Sequence, residues 1–188
     1  MIAAMEPPGI TRHRRPFLAP LWVTLLALLI GAGVVYTVYR GAATTVVVLA
    51  SAGGKEPGTI DDPPISAEGE RRAQRLAQMF APGGGLGRLD AIYLSGERRA
   101  QQTAAPLVEL LHLAASVYAV KDAAAVARSL VRGHKGSAVL VIGDSTALQQ
   151  FLRQLAGAGA EGATAEPDLL YIVSVPSFGR PLVLRLKY

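Results

Sequence analysis

The order of apolar and polar positions changes character once along the chain, close to residue 41. From Phe17 to Tyr39 no charged side chain appears, and a helix needs about 20 mostly apolar residues to cross the hydrocarbon layer of a bilayer. The pattern predicts a transmembrane helix over residues 17–39, preceded by a tail of residues 1–16. Trp22, Tyr36 and Tyr39 suit the two interfaces, where amphipathic rings are favoured. The competing reading is a cleaved signal peptide, whose apolar region runs only about 7–15 residues before a small-residue cleavage site. Here the run is longer, and Tyr39-Arg40-Gly41-Ala42-Ala43 is a poor cleavage site, so an uncleaved anchor is expected. Gly31 and Gly33, with Ala27 a turn earlier, offer a close-packing face, a weak sign of a partner helix because small residues are common in membrane helices.

Beyond residue 41 short apolar runs alternate with helical periodicity. Thr45-Val46-Val47-Val48-Leu49 is continuous and β-branched, as a buried strand should be. Ser66 can cap a helix in which Ala73, Leu76, Ala77 and Phe80 share one face, and the glycine-rich stretch from Pro82 to Gly87 ends it. Ala91–Leu94 reads as a strand, Glu97–Leu111 as a helix, Val117–Ala119 as a short strand and Ala123–Val131 as a helix. Ala138–Ile142 is the clearest buried strand; a helix from Ser145 to Leu155 follows, then a Gly/Ala-rich linker to Thr164. Strands over Leu170–Val175 and Leu182–Leu186 flank a turn from Pro176 to Pro181.

This alternation predicts an α/β fold over residues 44–188, with a largely parallel sheet, helices on both faces and a C-terminal hairpin, preceded by the transmembrane helix. Ligands of such sheets bind beyond the carboxyl ends of the strands, which singles out three loops, Ala50–Lys55, Ser95–Arg99 and Gly143–Thr146. The glycine run at 83–87 neither follows a strand nor opens a helix, so it is a connection rather than a dinucleotide loop. Gly53-Gly54-Lys55 fails as a phosphate loop, because Leu49 stands where the first glycine belongs and Glu56 where the Ser or Thr belongs.

Composition and charge sharpen this picture. The 188 residues are 51% hydrophobic, enough for a packed core, and contain no cysteine, which excludes disulfides, thiolate metal sites and a cysteine nucleophile. Of the 19 basic and 14 acidic side chains, residues 1–43 hold Arg12, Arg14, Arg15 and Arg40 against Glu6. The remainder is close to balanced and has no electrostatic footprint for nucleic acid. Three arginines precede the apolar run and one follows it, so the positive-inside rule keeps the tail in the cytoplasm and exports the domain. The expected location is the inner (cytoplasmic) membrane, single-pass, with a periplasmic domain and lipid contact through residues 17–39.

Read together, the three loops resemble those of the histidine phosphatase superfamily, also called phosphoglycerate-mutase-like, and most closely its small phosphohistidine-phosphatase-like members. The stretch from Ala91 to Ala104, through Ser95-Gly96-Glu97-Arg98-Arg99-Ala100 to Thr103, is similar to the family's strand–loop–helix segment Ser-Pro-x-x-Arg-Ala-x-x-Thr. Asp62-Pro63-Pro64-Ile65-Ser66-Ala67-Glu68-Gly69 resembles its Pro-Leu-Thr-x-x-Gly helix entry, and Leu140-Val141-Ile142-Gly143-Asp144-Ser145 its strand ending Val-Gly-His-Ser. Order and spacing match across residues 44–188.

The resemblance implies an Arg-His-Gly motif after the first strand, whose histidine attacks phosphorus. Here those positions hold Ser51, Ala52 and Gly53, and the second-site histidine aligns with Asp144. Arg99, with Arg98 beside it, matches the family's second arginine, and Ser145 follows Asp144. None of His13, His112 and His134 falls in either position. A methyl group offers no lone pair for covalent transfer, and an aspartate opposes a phosphate dianion. The expectation is therefore a degenerate pocket in a domain that is not an enzyme, with Arg99, or less favourably Arg98, in a salt bridge to Asp144. No cofactor or metal is expected. The functional expectation is a membrane-anchored interaction or scaffold element, an accessory subunit with a membrane-protein partner. The alternatives are a ligand-sensing module using the emptied pocket and a phosphatase with relocated chemistry.

Overall fold

The computed structural model describes residues 21–41, 43–54, 62–157 and 169–188. The chain divides into two units, Met1–Arg40 and Gly41–Tyr188. The basic tail with Arg12, Arg14 and Arg15, the loop residue Lys55 and most of the linker to Thr164 lie outside the described residues.

In the first unit one helix, α1 (Leu21–Gly41), is described. Among the described residues no helix is long and apolar enough to cross a membrane. Within α1 the described side chains run over residues 22–38, short of the roughly 20 that a span uses. The transmembrane helix predicted over 17–39 is therefore not found here, because residues 17–20 and the side chain of Tyr39 lie outside what is described. Every described side chain of α1 is exposed.

The second unit is a six-stranded sheet in the order β3-β2-β4-β1-β5-β6. The strands are β1 (Thr44–Ser51), β2 (Ala91–Ser95), β3 (Ala115–Tyr118), β4 (Ala138–Gly143), β5 (Leu169–Pro176) and β6 (Leu182–Lys187). β1, β2, β3 and β4 run parallel, whereas β5 pairs antiparallel with β1 and β6 antiparallel with β5. The expected α/β sheet with a C-terminal hairpin is thus found.

The continuous apolar runs become the two central strands because both faces of the sheet are covered. On one face Val47, Leu49, Val139 and Val141 pack with α4 (Ala123–Gly133) and α5 (Ser145–Ala156), around Phe151 and Leu148. On the other, Val48, Ala50, Leu140 and Ile142 pack with α2 (Ala67–Met79) and α3 (Arg98–Leu111), around Leu76 and Leu107. Two of these helices, α2 and α5, open on a side-chain cap. The Ser66 hydroxyl accepts the Gly69 N–H at 3.2 Å to open α2, and the Asp144 carboxylate accepts the Ala147 N–H at 2.9 Å to open α5; such caps satisfy donors the helix itself leaves unpaired. Four parallel strands put Ser51, Ser95, Tyr118 and Gly143 at one end of the sheet.

Candidate active site

The register of β1 on β4 pairs Ser51 with Gly143, and the Ala52 N–H extends the ladder by donating to the Gly143 carbonyl at 2.9 Å. Ser51 and Ala52 are both buried. The Ser51 hydroxyl donates to the Ala52 carbonyl at 3.3 Å, and the Ala52 methyl packs in the apolar cluster beneath α2 and α3. Gly53 follows where no side chain fits, since a Cβ there would strike Ile65 and crowd the Cα of Gly69 at 3.2 Å. That close approach seats the start of α2 against the end of β1.

α3 delivers the cation. Its first turn carries Arg99, whose Nη1 donates to the Gly53 carbonyl at 3.3 Å and whose Nη2 reaches Glu97 Oε2 at 3.1 Å. The Gly53 N–H in turn donates to the Thr103 hydroxyl at 3.0 Å, which donates to the Arg99 carbonyl at 2.7 Å. Arg99 is mostly enclosed, and its Nε has no hydrogen-bond partner among the described residues; the same holds for the fully buried Ser95 hydroxyl. An orphaned buried donor costs about 1–3 kcal/mol.

The expected salt bridge between Arg99 and Asp144 is not formed; Glu97 takes that place. Asp144 is the N-cap of α5, and one of its oxygens is held by the Ala147 N–H. Arg98 does not reach the site either. Its side chain is exposed, and its backbone N–H is bound by the Asp62 carboxylate at 2.9 and 3.1 Å. Ser145 is exposed at the start of α5. Of the residues singled out in the sequence, Ser51, Ala52, Gly53 and Arg99 are linked by direct contacts, and Asp144 follows Gly143 at the same sheet end. His112 caps the end of α3 and His134 Nε2 lies 3.1 Å from the Tyr93 hydroxyl; neither is at the site. Among the described residues no group of three or more acidic or histidine side chains could hold a metal.

Sequence reasoning passed over Glu97, Thr103 and Tyr118. The first two lie inside the matched strand–loop–helix segment, and Tyr118 ends β3, where the rule about carboxyl ends of strands could have found it. Its hydroxyl donates to the Ile142 carbonyl at 3.3 Å, and its ring meets Phe151 edge-on at 5.4 Å. Burial first, then the negative charges of Asp144 and Glu97, push the phenol well above its usual 10.0. A group whose pKa is raised on folding stabilises fully below its unfolded value and loses that contribution as pH rises beyond it. Stability should therefore fall above about pH 10, and Tyr118→Phe should flatten that fall in chemical denaturation measured from pH 8 to 11. An unchanged slope would remove Tyr118 as its source.

The family model of the histidine phosphatase superfamily (branch 1) matches residues 50–122. Among curated proteins none matches. The protein histidine phosphatase SixA complexed with tungstate has a similar structure, with 18% identity, TM-score 0.61, and coverage of 76% of this chain and 96% of that one. A mycobacterial glucosyl-3-phosphoglycerate phosphatase gives 14%, 0.57, 70% and 90%. A phosphoglycerate mutase from Plasmodium falciparum gives 14%, 0.58, 77% and 91%. The expectation that the domain is not an enzyme is corrected by these matches, since the family and the neighbours are phosphatases and mutases and point to enzymatic function.

Proposed function

We propose that the chain is a member of the histidine phosphatase superfamily, whose model matches residues 50–122, and that its 44–188 domain is a phosphoryl-transfer enzyme held at a membrane by the 17–39 segment. It receives a phosphorylated substrate over the carboxyl ends of β1, β2 and β4, with Arg99 as the cation. The observation that carries this reading is the enclosed guanidinium whose Nε lacks an acceptor. An incoming oxyanion supplies one, and planar recognition of phosphate is what arginine does best.

Ala52 cannot carry the phosphoryl group, so transfer passes through another side chain. The Asp144 carboxylate suits this better than the Ser51 hydroxyl, because it needs no base and none of the described histidines is near Ser51. A carboxylate oxygen bonds to phosphorus as the ester oxygen leaves and takes a proton from water; a second water then hydrolyses the acyl phosphate. The experiment is phosphate release from a phosphomonoester panel by the full chain in detergent. Release is expected, with a hydroxylamine-labile phosphoenzyme that Asp144→Asn abolishes. No release from any substrate would overturn the proposal.

The membrane part rests on the uncharged run from Phe17 to Tyr39 and on the exposed apolar side chains of α1, among them Leu25, Leu28 and Val35. A helix that is apolar on all sides needs lipid or protein around it. With the arginine-rich flank inside, protease added to spheroplasts should digest the domain, whereas full protection would reverse the orientation. A second role, as an interaction element of a membrane complex, is favoured by the edge strand β6, where Leu182, Leu184 and Leu186 are exposed. A lone monomer on gel filtration in mild detergent would count against it.

A further inference from the structure

The end of the sheet opposite the candidate site is tied to the first residue described after α1. Ala43 precedes β1, and its carbonyl accepts the Ser177 hydroxyl at 2.8 Å. Thr44 pairs with Pro176, and Gly136 approaches so closely that a Cβ there would lie 3.2 Å from that of Ala43. Two turns therefore surround this point, one joining β5 to β6 and one leading into β4.

The first turn presents Phe178, 81% exposed, with Arg180 also exposed; the second presents Lys135. Pro176 and Pro181 bracket the β5–β6 turn, and Gly179 takes a φ of +111°, so a defined backbone holds the ring outward rather than a loose loop. A single exposed aromatic is ordinary. This one is bonded, through its neighbour Ser177, to a residue only two positions beyond Gly41. Two residues span at most about 7 Å, and side chains of interfacial segments bury about 5–10 Å into the boundary between headgroups and acyl chains.

We propose that the β5–β6 turn is a lipid-contact element, with Phe178 inserted at the headgroup–acyl boundary and Arg180 and Lys135 on phospholipid phosphates. This rests on the membrane tether proposed above. An aromatic ring favours that depth, and cations beside it are drawn to phosphate oxygens. The contact fixes the domain with its amino-terminal strand ends toward the bilayer. The candidate site, at the other end of the eight-residue β1, is then held about 25 Å away at roughly 3.3 Å per residue, facing substrates in the aqueous phase.

The test uses the full chain in nanodiscs whose phospholipids carry brominated acyl chains, which quench tryptophan on contact. The chain has a single tryptophan, Trp22, so three proteins report separately: the wild type, Trp22→Phe with Phe178→Trp, and Trp22→Phe with Val117→Trp. Val117 is 64% exposed on β3 near the site end and serves as the control. At least twofold quenching at position 178, with little at 117, is expected. Quenching of Trp22 with position 178 as bright as 117 would overturn the lipid contact and leave the tether standing. An unquenched Trp22 would remove the tether, and the contact with it.

Discussion

Replacing Arg99 by alanine should weaken binding of an oxyanion such as vanadate or tungstate at least about a hundredfold. A charged hydrogen bond contributes about 1.5–3 kcal/mol, and a tenfold change in affinity is about 1.4 kcal/mol. The substitution also leaves Glu97 facing the ligand without its partner. The converse change is more diagnostic. Glu97 holds Arg99 Nη2 at 3.1 Å, where an oxyanion must compete with a carboxylate that also repels it. Two like charges at 4 Å interact by about 4 kcal/mol at an effective dielectric of 20. With the Glu97 side chain 31% exposed, solvent screening leaves roughly 1 kcal/mol. Glu97→Gln should therefore tighten binding about fivefold. Titration calorimetry on both variants checks the pair, and tighter binding in Arg99→Ala or weaker binding in Glu97→Gln would place the anion elsewhere.

Replacing Gly143 by alanine should cost stability and distort the site at once. The added methyl would run into the Tyr118 hydroxyl and lie 3.4 Å from the Ala147 Cβ. Tyr118 cannot easily withdraw, because its hydroxyl is bonded to Ile142 and its ring is fixed against Phe151. Overpacking of this kind costs about 1–3 kcal/mol, a fall of several degrees in Tm for a domain of this size. The cause is separable. Tyr118→Phe removes the atom that the methyl meets, so Gly143→Ala should cost less than half as much in that background, a coupling of about 1 kcal/mol. Equal costs in both backgrounds would show that the strain comes from elsewhere. Because the Gly143 carbonyl also receives the Ala52 N–H, Gly143→Ala should weaken oxyanion binding along with stability.

Most elements of the 44–188 domain were legible because their signals are local. A β-branched run from Thr45 to Leu49, a serine before an amphipathic repeat, and the helical stretch from Ser145 to Leu155 each act within a few residues of chain, and β1, α2 and α5 form accordingly. The end of the sheet where the strand ends meet was legible too, since parallel strands put their carboxyl ends together wherever they fall in the sheet. The uncharged run from Phe17 to Tyr39 begins before the described start of α1 at Leu21.

The ion pairing of the site was not legible. The sequence offers Arg99 three carboxylates near the same sheet end, those of Asp62, Glu97 and Asp144, and the matched motif pointed to the last. Asp62 gives both oxygens to the Arg98 N–H and Asp144 gives one to the Ala147 N–H at the starts of their helices, whereas Glu97, two residues before Arg99, is the one that meets its guanidinium. Likewise nothing in the sequence says that β5 joins β1 rather than the far edge, which is what brings Ser177 against Ala43. By itself the sequence determined the elements, their order and which loops meet. Which polar group satisfies which, and which turn lies against Ala43, depended on long-range pairing. There each carboxylate and each strand edge has several possible partners, and packing selects among them.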